Sequence, residues 1–264
     1  MRLRFKALTA IAVLATVAAT AQILIRQPRS TVVPVAQSCE PSAVNIQGKY
    51  WINNNTWGSD QGSGRQCTRD ISRKNGVLSW ATTWNWTGRY NAVKSYASVV
   101  LGWHWGYKTT GTGLPIRLSQ NKKVRTGWRF RAPSGGTYNV SYDLWLHTRK
   151  RPTWQDKPTD EVMVWLRRSG GAGPIGSKVA TIKLGRSRWE LWEGDIGWKV
   201  YSFVRVGNVS KAYGDLKVFL NYLVAHRGLA RSKYLTSVEA GTEVFTGSGT
   251  LTTLGYYTTI EAGS

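Results

Sequence analysis

From Tyr50 onward, short stretches of alternating apolar and polar residues are separated by Gly, Ser, Thr and Asn. A period of two with frequent turn residues predicts an all-β architecture. After the turn signal Gly135-Gly136, Tyr138, Val140, Tyr142, Leu144 and Leu146 share one face of a strand. Asn139, Ser141, Asp143, Trp145 and His147 share the other, because successive side chains point to opposite sides of a sheet. The run Glu161 to Leu166 repeats the arrangement, with Val162, Val164 and Leu166 toward the core and Glu161, Met163 and Trp165 opposite. Two strands that each place a carboxylate and a Trp on the non-core face describe a wet aromatic groove. One segment breaks the period. Leu216, Phe219, Leu220 and Leu223 follow helical spacing, with Asp215 placed to cap the start and Gly228 beyond the end.

Composition sharpens the picture. Among the 264 residues are 14 Trp and 12 Tyr against 5 Phe, a bias toward rings with a polar handle. Flat rings stack on pyranose faces while their N–H or O–H groups bond hydroxyls, and a core has no special use for so many indoles. Asn53-Asn54-Asn55-Thr56-Trp57, Asn85 between Trp84 and Trp86, and Trp103-His104-Trp105-Gly106 each set amides or imidazole beside rings. The charge balance is 36 Lys and Arg against 14 Asp and Glu, a formal +22. The basic residues are scattered, with no zinc-finger spacing, basic helix or RNA-binding signature, so no nucleic-acid partner is expected.

The N-terminus opens Met1-Arg2-Leu3-Arg4-Phe5-Lys6, followed by an apolar run from Ala7 to Ala21 and a small-x-small site at Ala19-Thr20-Ala21. Residues 1–21 read as a secretory signal peptide, 22–37 as a flexible leader, and 38–264 as one catalytic domain. The apolar character continues to Ile25, so an uncleaved membrane anchor is the competing reading. Both imply export; with cleavage, no stable membrane insertion is expected. The only cysteines, Cys39 and Cys67, lie in the exported part, where a pair is expected to bridge. The closed loop would stabilise by roughly 3–4 kcal/mol on a chain-entropy model.

Little supports other chemistries. His104, His147 and His226 are not spaced as metal-ligand pairs, so no metal is expected. No Gly-x-Ser-x-Gly elbow, P-loop or dinucleotide fingerprint is present. The carboxylates remain. Glycosidic hydrolysis needs one group to protonate the leaving oxygen and another to attack or stabilise the sugar carbon. Glu161, Asp143 and Glu243 are candidates, with Glu239 on the face of Glu243 if that strand is regular. Alternation alone does not divide the roles.

Six segments in order resemble the family 12 glycoside hydrolases over about Cys39 to Ile260. They are Asn54-Asn55-Thr56-Trp57-Gly58 with Gln66-Cys67-Thr68, Val93-Lys94-Ser95-Tyr96, and Ser141-Tyr142-Asp143-Leu144-Trp145. Asp160 to Leu166, Tyr213-Gly214-Asp215 with Phe219 to Leu223, and Gly241-Thr242-Glu243-Val244-Phe245-Thr246-Gly247 complete the set. The resemblance implies a β-jelly-roll sandwich of two antiparallel sheets with a concave cleft and one short helix. It further implies a retaining endo-β-1,4-glucanase without cofactor, working as a monomer on cellulose-type glucan, mixed-linkage glucan or xyloglucan. Glu161 falls on its nucleophile, Glu243 on its acid/base and Asp143 on the supporting acid, while Asn55, Trp57, Met163 and Trp165 fall on sugar-binding positions. Trp145 joins these by sharing the face of Asp143. Glu239 stands where the resemblance implies an amide. A xylanase of a related jelly-roll fold and a non-catalytic glucan-binding protein are the alternative readings.

Overall fold

The computed structural model describes residues 37–263. The signal-peptide reading of residues 1–21 and nearly all of the leader lie outside the described residues; the leader's last residue, Gln37, already belongs to a strand. In chain order the strands are β1 (Gln37–Ser38), β2 (Val44–Gln47), β3 (Tyr50–Asn53), β4 (Gly62–Lys74), β5 (Val77–Gly88) and β6 (Ser95–His104). There follow β7 (Tyr107–Lys108), β8 (Ile116–Arg117), β9 (Lys123–Arg131), β10 (Thr137–His147) and β11 (Asp160–Ser169). Then come β12 (Ser177–Leu184), β13 (Ser187–Asp195), β14 (Lys199–Arg205), β15 (Lys211–Asp215), α1 (Lys217–His226) and β16 (Tyr234–Glu261).

The 28-residue β16 belongs to both layers. Its first part, Ser237 to Val244, pairs with β6 and β10 in a large sheet ordered β2-β3-β6-β16-β10-β11-β14-β13-β12. Its second part, from Gly247, pairs with β5 and β9 in a smaller sheet ordered β1-β4-β5-β16-β9-β15. The passage occurs at Gly247, whose φ of +97° is left-handed and whose missing Cβ would sit 2.7 Å from the Cα of Gly136. Only glycine meets both demands.

Sheet against sheet makes the core. The face Tyr138, Val140, Tyr142, Leu144 and Leu146 packs with Val162, Val164 and Leu166 of β11 and with Trp80, Trp84 and Trp128 of the smaller sheet. Trp84 and Trp86 are thus core residues, and Asn85 between them is turned outward to Ser248, so this trio does not contribute to a groove. All pairings are antiparallel except β11 with β14. That contact makes the larger sheet mixed, because β12 to β14 form a meander whose last strand inserts beside β11 in the same direction.

The helix begins one residue later than an Asp215 cap implied, with Leu216 at the N-cap position. Asp215 ends β15, and its carboxylate accepts the N–H groups of Lys217 (3.1 Å) and Val124 (2.8 Å), tying the helix start to β9. Leu216, Phe219, Leu220 and Leu223 are all buried, as expected. Cys39 and Cys67 form a disulfide, linking the entry segment to β4. Among the described residues, no helix is long and apolar enough to cross a membrane.

Candidate active site

The face of the larger sheet turned away from the core lines a cleft of about 790 Å³. That lies in the upper part of the range of ligand sites. Register fixes its floor. Reading across the strands, Val100, Glu239, Asp143, Met163 and Ser202 form one row. The next row runs Gly102, Ser237, Trp145, Glu161 and Val200. Glu161 therefore has Trp145 as its cross-strand neighbour, and Asp143 has Met163 on one side and Glu239 on the other.

Glu161, buried to 7% exposure, sits beneath a tryptophan cluster. Trp198, from the turn between β13 and β14, donates its indole N–H to Glu161 Oε2 at 2.8 Å. Ring centroids of Trp105, Trp145 and Trp198 lie 5.9 to 6.5 Å apart pairwise, an edge-to-face arrangement. Trp105 reaches the cluster because the β6–β7 turn has Trp105 at φ +44° and Gly106 at φ +93°. Positive φ at both central residues is the requirement of a type I′ hairpin, and placing a Trp there is a strained choice found where function demands it. Burial among these rings raises the Glu161 carboxyl to about 7, opposed by the Trp198 hydrogen bond and reinforced by Glu239.

Glu243 is partly exposed on the same cleft. Asn139 holds it twice: the amide N–H₂ donates to Glu243 Oε2, and Asn139 Oδ1 accepts the Glu243 backbone N–H at 2.9 Å. Its carboxyl is pushed up to about 8, first by desolvation and then by the charge of Glu161. Asp143 is 2% exposed, and its Oδ1 finds no partner within the protein. Desolvation, followed by the repulsion of Glu161, raises it well above the ordinary carboxylate range, which favours its neutral form. A neutral acid with a free oxygen beside Glu161 is a hydrogen-bond donor in waiting.

Glu239 is different. It is fully buried, with His104 Nδ1 at 2.8 Å on Oε1, Ser98 Oγ donating to Oε2 at 2.8 Å, and Ser237 Oγ at 3.4 Å. It belongs to the floor row beside Asp143 but is covered by these partners and does not line the cleft.

Every residue read from the sequence as sugar-binding lies in the cleft: Asn55, Trp57, Trp145, Met163 and Trp165. Trp57 is 64% exposed at the rim, and its backbone N–H is held by Asn55 Oδ1 at 3.1 Å. Asn54, just before Asn55 in the Asn run, instead cross-braces Gln66 and does not line the cleft. Sequence reading missed Trp198, Asn139, Trp51 and Phe245. Asn139 alone left a signal, as it alternates with Asp143 on the cleft face of β10. The cleft lining contains no Lys or Arg.

Known proteins carry the same plan. The chain is 40% identical over 210 residues to "Endoglucanase S" of Pectobacterium parmentieri, covering 76% of this chain and 78% of that one. It is 37% identical over 234 residues to "Xyloglucan-specific endo-beta-1,4-glucanase A" of Emericella nidulans, covering 86% and 92%. The native family 12 xyloglucanase from Bacillus licheniformis superposes with a TM-score of 0.78 at 38% identity, over 86% of this chain and all of that one. The family model "Glycosyl hydrolase family 12" matches residues 48–261, which takes in the cleft and its carboxylates. On these grounds the chain belongs to glycoside hydrolase family 12 and is a retaining endo-β-1,4-glucanase acting on glucan-type polysaccharides.

Proposed function

We propose that Glu161 is the nucleophile and Glu243 the acid/base of a double displacement, with Asp143 donating to Glu161. The observation that supports the division of roles is geometric. Glu161 is buried and accepts the Trp198 indole N–H at 2.8 Å, which favours its ionised form. Glu243 is the more exposed group on the cleft, and the charge of Glu161 favours its protonated form. Once Glu161 ionises, Glu243 keeps its proton. That is the state the first step needs. Glu161 attacks the anomeric carbon as Glu243 protonates the departing glycosidic oxygen. Glu243 then takes a proton from the water that releases the glycosyl-enzyme, restoring both groups. The indole of Trp198 orients Glu161, and the Asn139 amide orients Glu243. Asn55, Trp57, Trp145, Met163 and Trp165 would line the path of the sugar chain.

The reading extends to xyloglucan as a substrate beside unbranched β-1,4-glucan. The support is that the Emericella nidulans and Bacillus licheniformis relatives, at 37% and 38% identity, carry xyloglucan in their names. Product analysis on carboxymethyl cellulose, mixed-linkage glucan, xyloglucan and xylan in parallel tests it. Oligosaccharides from xyloglucan and none from xylan are expected; release from xylan alone would favour the xylanase reading. We further propose export through cleavage after Ala21, supported by the N-terminal sequence pattern and the Cys39–Cys67 bridge. The mass of the mature protein checks that cleavage.

A further inference from the structure

Among the described residues the cleft lining carries no Lys or Arg, so the basic residues that make up the +22 balance lie elsewhere. At least six of the 36 basic residues lie on the outer face of the smaller sheet. Register puts Arg65 and Arg69 of β4, Arg125, Arg129 and Arg131 of β9, and Lys211 of β15 on this one side. Lys211 is the cross-strand neighbour of Arg129. Like charges side by side are destabilising in a sheet, so folding alone does not account for them. The acids among these rows are Glu261, 3.7 Å from Arg125, and the half-buried Asp215 opposite Arg125, whose carboxylate is engaged by the backbone N–H groups of Val124 and Lys217.

Between the basic flanks the face is flat and hydroxylated. Thr83 and Thr250 share a hydrogen bond at 3.0 Å, and Ser248 donates to Asn85 at 2.9 Å. At the β15 end two rings stand over a gap: Tyr257 and Tyr213 flank Gly127 from the neighbouring strands. A Cβ at Gly127 would lie 2.3 Å from the Tyr257 ring and 2.9 Å from that of Tyr213, so the absent side chain lets both rings lie low. Tyr213 is 64% exposed.

We propose that this outer face is a second polysaccharide-binding surface, separate from the cleft, that takes an anionic, uronate-bearing glycan. Tyrosine rings stack on pyranose faces, the Thr, Ser and Asn groups bond hydroxyls, and guanidinium groups pair with carboxylates. Charge complementarity selects the occupant. Residues 1–36 of this chain carry Arg2, Arg4, Lys6, Arg26 and Arg29 and no acid, so they do not complement the face. A second copy would bring another +22. An acidic glycan mixed with the neutral substrate would hold the enzyme from behind and leave the cleft free.

The test is affinity electrophoresis of the mature protein in gels containing polygalacturonate, with duplex DNA as competitor. The face variant is Arg129→Gln with Arg131→Gln and Lys211→Gln. The control removes the same charge from the exposed end of the β12–β13 hairpin, where Lys183 and Arg188 are also cross-strand neighbours, as Lys183→Gln with Arg186→Gln and Arg188→Gln. We expect the face variant to lose affinity roughly tenfold, since three exposed ion pairs are removed, and the control to stay within about twofold of the parent. Both should hydrolyse a short soluble β-glucan at the parental rate, which shows the fold intact. Tyr213→Ala should also weaken retention. Equal losses in face and control variants would reduce the effect to net charge and overturn the proposal. So would parental affinity in Tyr213→Ala, or duplex DNA displacing polygalacturonate at equal charge concentration.

Discussion

At the scale of single residues, the site is a problem in keeping three carboxyl groups in different protonation states within one cleft. Asp143 is the most deeply buried and is pushed well above the ordinary carboxylate range, while burial raises Glu243 to about 8 and Glu161 to about 7. Glu161→Ala should abolish turnover on every glucan. Glu243→Ala should retain turnover on dinitrophenyl glycosides, which need little protonation, and added azide should restore rate with a β-glycosyl azide as product. Proton NMR of the product anomer decides the case, since an α-azide would mean the carboxylates are not the retaining pair spaced about 5–5.5 Å apart. Asp143→Asn should keep more activity than Asp143→Ala, because an amide still donates to Glu161 without bringing charge. Equal kcat values in the two variants would remove Asp143 from its supporting role. These roles were not legible from alternation, which marks a face and says nothing of environment. Glu239 shows the limit: it shares the parity of Glu243, yet His104 and two serines sequester it. Only a partner from β6, more than a hundred residues earlier in the chain, separates the two cases.

Among the elements, β10 and the Glu161–Leu166 part of β11 were readable, because each is buried on both faces by different chemistry. Their core faces are purely apolar and their cleft faces mix Trp, Met and carboxylates, so period two survives burial. The turns were not readable. Trp198 lies in the turn between β13 and β14, where no periodicity exists, and its relation to Glu161 depends on the parallel β11–β14 contact. The tryptophans of β5 were misleading for the opposite reason. Trp84 and Trp86 are core residues on one parity, and the polar Asn85 between them simply faces out. Trp198→Phe should keep the ring cluster while removing the one indole donor to Glu161. Since that hydrogen bond favours the ionised form, its loss should move the acidic limb of the kcat/KM profile upward with little change in thermal stability. An unmoved limb would mean that Trp198 contributes surface alone. In α1, Leu223→Ala should destabilise by about 2–5 kcal/mol, as it opens a cavity where the helix meets the core, without altering the pH profile. Urea unfolding measures the first effect and kinetics the second.

For the whole molecule, the cleft sets a relation between stability and pH. Glu161 and Glu243 are both raised in the folded state, to about 7 and about 8. Unfolded glutamates release their protons near 4.3, so between that value and the folded values the native state holds more protons. The stability these groups contribute is therefore complete below about pH 4.3 and is lost as pH rises through 7 and 8. His147 acts in the other direction: burial lowers it to about 4, so its contribution is present above about 6.5 and is lost as pH falls through 4. Between about pH 6.5 and 8 the carboxylates alone govern, and the melting temperature should fall across that window. Glu161→Gln and Glu243→Gln remove a group that must ionise inside the protein, so each should raise the melting temperature at pH 8 and change it little at pH 4. On the proposed roles the same substitutions should remove activity, which would place the cost of the site in the folded state at the pH where Glu161 is ionised. Calorimetric scans of parent and variants at pH 4, 6.5 and 8 test this. A parent whose melting temperature rises from pH 6.5 to 8, or variants stabilised equally at every pH, would show that the cleft carboxyl groups are not raised in the folded protein.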